Sequence, residues 1–127
     1  MKIAALIARI LVGLIFLIFG LNGFLNFIPS PPMPGGMVSD FLHAFMQSHY
    51  AMVVSAFQIA GGALLLVNRY VPLGIALLAP IVVNILSFHL LLYRPGISVA
   101  LVTSALWLIL AIHYRQYFAC LFVQKTP

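Results

Sequence analysis

Apolar positions in this chain form long unbroken runs, separated by short polar or proline-rich breaks. The first run, Ile3 to Phe27, carries one charge, Arg9. About 20 residues cross a hydrocarbon core at roughly 1.5 Å per residue, so the run predicts a tilted spanning helix over about 3–27. It is too long for the apolar core of a signal peptide, and no small-residue cleavage pattern follows it. Similar runs predict spanning helices over about 50–67, 71–92 and 97–118, with breaks at Asn68–Arg69 and Arg94–Pro95–Gly96. Pro72 falls in a first turn, where its missing N–H does no harm. Pro80 lies inside the third span and deprives the carbonyl of Ala76 of its donor, which predicts a kink.

The break after the first run is different in kind. Pro29, Pro31, Pro32 and Pro34 with Gly35 and Gly36 exclude both helix and paired strand. Beyond them, apolar pairs at Met37/Val38, Phe41/Leu42 and Phe45/Met46 recur at helical spacing, with Ser39, Asp40, His43 and Gln47 between. The pattern predicts a short helix over about 39–48, capped by Ser39, with Asp40 at the positive end of its dipole. Apolar on one side and polar on the other, it is expected to lie in a membrane interface. No internal repeat is evident. The fold class that follows is all-α: one domain over 1–127, a four-helix transmembrane bundle with a short interfacial helix between helices 1 and 2.

Composition turns that pattern into a statement about solvent. Of 127 residues, 65% are hydrophobic and 6% are charged, where a soluble domain carries about 25% charged. Helices apolar all round need a very large core or a bilayer, and a chain this short has no such core. The net charge of +5 comes from basic residues scattered singly at helix ends, not from the clustered stripe that marks nucleic-acid binding. They serve orientation. Four crossings put both termini on one side with Lys2, Arg69, Arg115 and Lys125, against Arg94 opposite, so both ends are expected in the cytoplasm. The location that fits is a bacterial cytoplasmic (inner) membrane. Cys120 is the single cysteine, so neither an intrachain disulfide nor CxxC redox chemistry is available.

Polar groups inside the apolar runs are the functional candidates, because placing them there costs free energy. Arg9 costs roughly 2.5–3.5 kcal/mol at a helix centre; it either meets an acidic partner or snorkels to the headgroups. Ser55, Gln58, Gly61 and Gly62 form one small polar stripe, either a packing seam joined by the Gln58 amide or a binding surface. Gly13 and Gly20 mark a second contact face. Asn22 and Asn26 stand where the first helix gives way to the proline segment. Asn84 and His89 are five residues apart, about 140° around a helix, and so do not share a face. His89 could hydrogen-bond a quinone carbonyl or serve as a ligand, though a lone histidine is more often packed. His113 lies toward the opposite side, which disfavours a bis-histidine haem. No metal site is expected, with one carboxylate in the chain. There is no P-loop, HExxH, GxSxG or carboxylate pair, so the chain lacks the equipment of an autonomous enzyme.

The ordered set of these features resembles the DoxX-like membrane proteins. The resemblance is carried by ARILVGLIFLIFGLNGFLNFIP (Ala8 to Pro29), by GGALLLVNRYVPLGIALLAPIVVNILSFHLLL (Gly61 to Leu92) and by LWLILAIHYRQYF (Leu106 to Phe118). It implies a four-helix membrane bundle. The family takes its name from a small subunit of a thiosulfate:quinone oxidoreductase, and other members are linked to membrane oxidoreductase complexes or, in animals, to receptor assembly. Many members carry a glutamate ahead of the glycine pair. Gln58 stands there in this chain, which removes the obvious anionic partner for Arg9. Three functions stay open at this point. One is an accessory subunit of a redox- or quinone-linked membrane complex; another is an assembly factor that packs on client helices through its glycine faces. The third is a lipid or small-hydrophobe handler gated by the amphipathic helix, with Phe41 and Phe45 as its gate. The expected partners are membrane lipid and a larger complex or further copies of the chain; no cofactor is implied beyond a quinone.

Overall fold

The computed structural model describes residues 2–28 and 35–127. The prolines at 29, 31, 32 and 34, expected to break the chain, lie outside the described residues. Helices α1 (Lys2–Leu25), α2 (Met37–Gln47), α3 (Tyr50–Val67), α4 (Val71–Ser87) and α5 (Ile97–His113) follow in order. A π-helical turn, Phe88–Leu92, extends α4, and a 3-10 segment, Arg115–Phe122, follows α5. No strand occurs among the described residues. α1, α3 and α4 with its π turn are long and apolar enough to cross a membrane, and α5 with its 3-10 segment makes a fourth span if the bent pair is counted as one.

The long helices pack in a cycle: α1 against α3 and α5, and α4 against α3 and α5. Neighbours run antiparallel, since Gly13 faces Gly62 while Gly20 faces Ser55 and Ile59. The start of α1 and the end of α5 therefore share one end, here the terminal end; α2 packs on α3 at the other. The centre is filled by Val12, Phe16, Leu65, Ile75, Leu78 and Leu110. Large apolar side chains such as Leu14, Ile18, Leu73, Val83 and Leu108 point outward. Such an exterior is stable in hydrocarbon, where it has no water to order.

Glycine decides how close α1 and α3 come. A Cβ on Gly62 would lie 2.8 Å from the carbonyl oxygen of Gly13 and 2.8 Å from the nitrogen of Leu17. Backbone meets backbone there, and only hydrogen fits. Gly61 faces the opposite way, and a Cβ on it would lie 2.6 Å from Cγ of Leu78 on α4. Close approach of this kind supplies the dispersion contacts that hold helices together in lipid.

Two boundaries differ from the sequence reading, those of α2 and α5. α2 begins at Met37, with Gly36 as its N-cap at φ 89°, so Ser39 is inside the first turn and caps nothing. Glycine alone adopts that backbone without strain. α4 and its π turn together cover the expected 71–92; the helix runs on through Pro80 and leaves α geometry only at Phe88–Leu92. α5 stops at His113 rather than near 118, and the chain turns by 77° into the 3-10 segment. The apolar run ends at that point: His113, Arg115 and Gln116 bring polar groups into three of four positions. The Arg115 side chain donates to the carbonyl of Ile112 at 3.0 Å, satisfying the end of the helix.

Candidate functional site

Most polar side chains inside this fold are committed to backbone groups. Arg9 donates from Nη1 to the carbonyl of Leu65, in the last turn of α3. The last four carbonyls of a helix lack intrahelical donors and carry the negative end of the dipole. Half-buried Arg9 is therefore placed as a cap for a neighbouring helix, and among the described residues it pairs with no acid. Trp107 does similar work on α4, its indole N–H donating to the carbonyl of Ile75 at 3.1 Å. That carbonyl adjoins the one that Pro80 deprives of its donor. Ser104 donates to Ala100 within α5. The Asn22 side-chain oxygen accepts from the N–H of Ile28 at 2.8 Å, while Asn26, at φ 51°, closes α1 in the left-handed region. His113 ends α5 at the terminal end, its ring edge-on to Tyr114 at 4.9 Å.

The glycine faces are committed too. Gly13 and Gly20 are filled by α3, Gly62 by α1 and Gly61 by α4. These surfaces are buried between helices of the same chain and offer no groove to a client helix. The stripe expected on α3 accordingly splits. Ser55 and Gly62 turn to α1 and Gly61 to α4, while Gln58 makes no hydrogen bond across either seam. The hydroxyl of Ser55 occupies the space above Gly23. Gly23, three residues after Gly20 on the same helix face, carries a packing role that the sequence reading passed over.

At the α2 end the pattern changes. A cavity of about 570 Å³ opens between α2, α3 and the α4–π segment. Phe41 and Phe45 from α2, Tyr50 and Val54 from α3, and Ile81, Ile85 and Phe88 from α4 and its π turn form its walls. The aromatic rings are in mutual contact: Phe41 stacks on Phe45 at 5.7 Å and meets Phe88 at 5.9 Å, and Phe45 meets Tyr50 at 5.5 Å. α2 thus forms one side of the cavity through the phenylalanines that its sequence pattern placed on one face.

Gln58, Asn84 and His89 all line this space. The five-residue spacing argued that Asn84 and His89 point apart. They meet the same cavity because it extends round α4 beneath α2, and because the helix widens into its π turn at Phe88. Asn84 donates from Nδ2 to the carbonyl of Pro80 at 2.8 Å. His89 donates from Nδ1 to the carbonyl of Tyr93 at 3.1 Å. The Gln58 amide has no partner among the described residues, and no buried polar side-chain atom is left unsatisfied, so this amide opens onto the cavity.

No charged side chain lines the cavity. Among the described residues, no group of three or more histidine, cysteine, aspartate or glutamate side chains is placed to hold a metal ion. The lining is therefore suited to a neutral, largely apolar molecule with a small polar head.

No curated protein and no solved structure matches the chain. A family model, described as DoxX, matches residues 4–90, which takes in α1 to α4 and most of the π turn and leaves α5 outside the match. The cavity, with Gln58, Asn84 and His89 on it, and the Arg9 cap fall inside that span, and on this match the chain belongs to the DoxX family.

Proposed function

We propose that this DoxX-family protein is a binding subunit of the membrane, holding a small hydrophobe with a polar head in the cavity beneath α2. In this reading all four long helices cross the bilayer as one bundle and α2 lies in the interface. The observation that carries it is the uncommitted Gln58 amide on an uncharged, aromatic-walled cavity of about 570 Å³. A polar group in hydrocarbon with no internal partner is costly unless something else meets it. A ring of the quinone/quinol class fits this lining, between phenylalanine walls and with an amide to donate to a ring oxygen. With one carboxylate side chain and one thiol in its sequence, the protein acts as an accessory subunit that presents its ligand to a larger, redox-linked membrane complex.

The test is purification in mild detergent followed by extraction and mass spectrometry for quinones and other lipids. One hydrophobe should copurify near stoichiometry with the wild type and be largely lost from the double variant Phe41→Ser/Phe45→Ser. A protein free of any enriched hydrophobe, or one whose content the double variant leaves unchanged, overturns the reading. The accessory role is checked separately, by crosslinking in the native membrane, where a polytopic redox partner is expected; capture of this chain alone refutes it.

The same proposal fixes an orientation. The excess of Lys2, Arg69, Arg115 and Lys125 over Arg94 supports a terminal end in the cytoplasm of a bacterial cell, with the cavity near the outer face of the cytoplasmic membrane. Cys120 is exposed at the terminal end. It should resist a membrane-impermeant maleimide in intact spheroplasts and react in inverted vesicles; labelling in spheroplasts reverses the topology.

A further inference from the structure

The hydrogen bonds already made around the cavity leave a particular set of groups for a ligand. Ser48 is committed twice, donating to the carbonyl of Phe45 and accepting from the N–H of Tyr50. Asn84 contacts a carbonyl, which can only accept, so Nδ2 is the atom facing Pro80, and Oδ1 and the second Nδ2 hydrogen remain. The same logic fixes His89. Its Nδ1 faces the carbonyl oxygen of Tyr93 and must bear the proton, so in the neutral ring Nε2 is an acceptor without a hydrogen. Gln58 keeps its amide whole. Gly96 lets the imidazole seat closely: a Cβ there would lie 3.0 Å from its Cε1. The Tyr93 carbonyl and the backbone of Gly96 both stand beside the ring.

A ligand headed only by acceptors, such as a ketone or an ester, can take amide N–H groups but leaves Nε2 of His89 unmet. An anion adds the cost of entering a cavity with no cation on its walls. A hydroxyl does both things at once, donating its hydrogen to Nε2 while its oxygen receives an amide N–H. We infer that the cavity selects a neutral amphiphile headed by a hydroxyl group, an alcohol or phenol rather than a ketone, ester or carboxylate, with His89 as the residue that tells them apart. This rests on the cavity being a ligand site, as proposed above, and adds the chemistry of the head.

The experiment uses matched probes on the full-length protein in detergent, followed by calorimetry. 4-Octylphenol and its methyl ether, 4-octylanisole, share a ring and tail and differ in the donor hydrogen. The wild type should bind the phenol about tenfold more tightly than the ether, the worth of one net hydrogen bond in an apolar site. In His89→Phe that preference should fall to about onefold while the ether binds as before. Because the two probes are compared on the unaltered protein, the first result does not depend on any variant folding. Ala44→Trp, which fills the cavity from α2, should abolish binding of both probes.

Equal binding of the two probes, abolished by Ala44→Trp, overturns the hydroxyl inference and leaves the cavity as a ligand site. A phenol preference that survives in His89→Phe overturns the assignment to His89. Binding of neither probe, or binding that Ala44→Trp leaves intact, overturns both the inference and the proposed site.

Discussion

The two ends of this bundle treat their polar groups in opposite ways. At the terminal end, Arg9 caps α3 through Leu65, and one turn or so deeper Trp107 bonds to Ile75 of α4. At the α2 end, Gln58 has no partner among the described residues, and Asn84 and His89 each keep hydrogen-bonding capacity beside a cavity. The cost of a polar group in hydrocarbon is similar at comparable depth, so the difference lies in what offsets it. At the terminal end it is the chain's own backbone. At the α2 end something outside the chain has to supply it, which is why stability and binding should separate between the two ends under mutation.

The glycine seam joins both ends and should dominate stability. Gly62→Ala places a methyl group 2.8 Å from two backbone atoms of α1, neither of which can rotate away. The helices must part, at a cost of about 3 kcal/mol. Gly61→Ala meets a leucine side chain instead and should cost about half as much, because Leu78 can shift. Thermal unfolding in detergent, followed by circular dichroism, would show the difference as a larger drop in midpoint for Gly62→Ala. Equal drops would mean that the seam is looser than its backbone contacts indicate.

Arg9→Leu comes next. It removes the cation from the end of α3 and a charge-assisted bond to Leu65, while also relieving the burden of a charge in apolar surroundings. The net loss should be about 1–2 kcal/mol, with ligand retention unchanged. An unaltered midpoint would show that the arginine snorkels in the membrane and that the bond contributes nothing. Trp107→Phe keeps the ring packing and removes one interhelical bond, so a loss of about 0.6 kcal/mol is expected, near the average for such bonds between membrane helices.

These contrasts mark where sequence reasoning succeeds and where it stops. Runs of apolar residues locate α1, α3 and α4 closely, because spanning length is set by bilayer thickness rather than by the details of packing. The phenylalanine pattern that formed α2 also indicated which face would meet the bundle. Periodicity could not tell that the Ser55–Gly62 stripe divides between two neighbours, since that depends on where α1 and α4 stand around α3. It also gave no sign that Asn84 and His89, on different faces of one helix, would line one space. The 100° step assumes an isolated straight helix, whereas a cavity is bounded by three elements and by a π turn that no residue in FHLLL announces. Arg9 was visible as an anomaly, but its partner is a backbone carbonyl 56 residues away, and main-chain acceptors leave no mark in the sequence.

The smallest expected change in stability discriminates best between the two ends. Gln58→Leu exchanges an amide that bonds to no described residue for an apolar chain of similar size in an apolar wall. If the amide serves only a ligand, the empty protein should unfold at the wild-type midpoint. Retention of the copurifying hydrophobe should fall nonetheless, because its head loses a donor and an acceptor together. Had Gln58 been interhelical glue, the order would reverse: the midpoint would drop by about the Trp107→Phe amount while binding followed only as the fold weakened. Measuring both quantities on one preparation separates these outcomes, because a structural amide cannot lose its ligand and keep its midpoint.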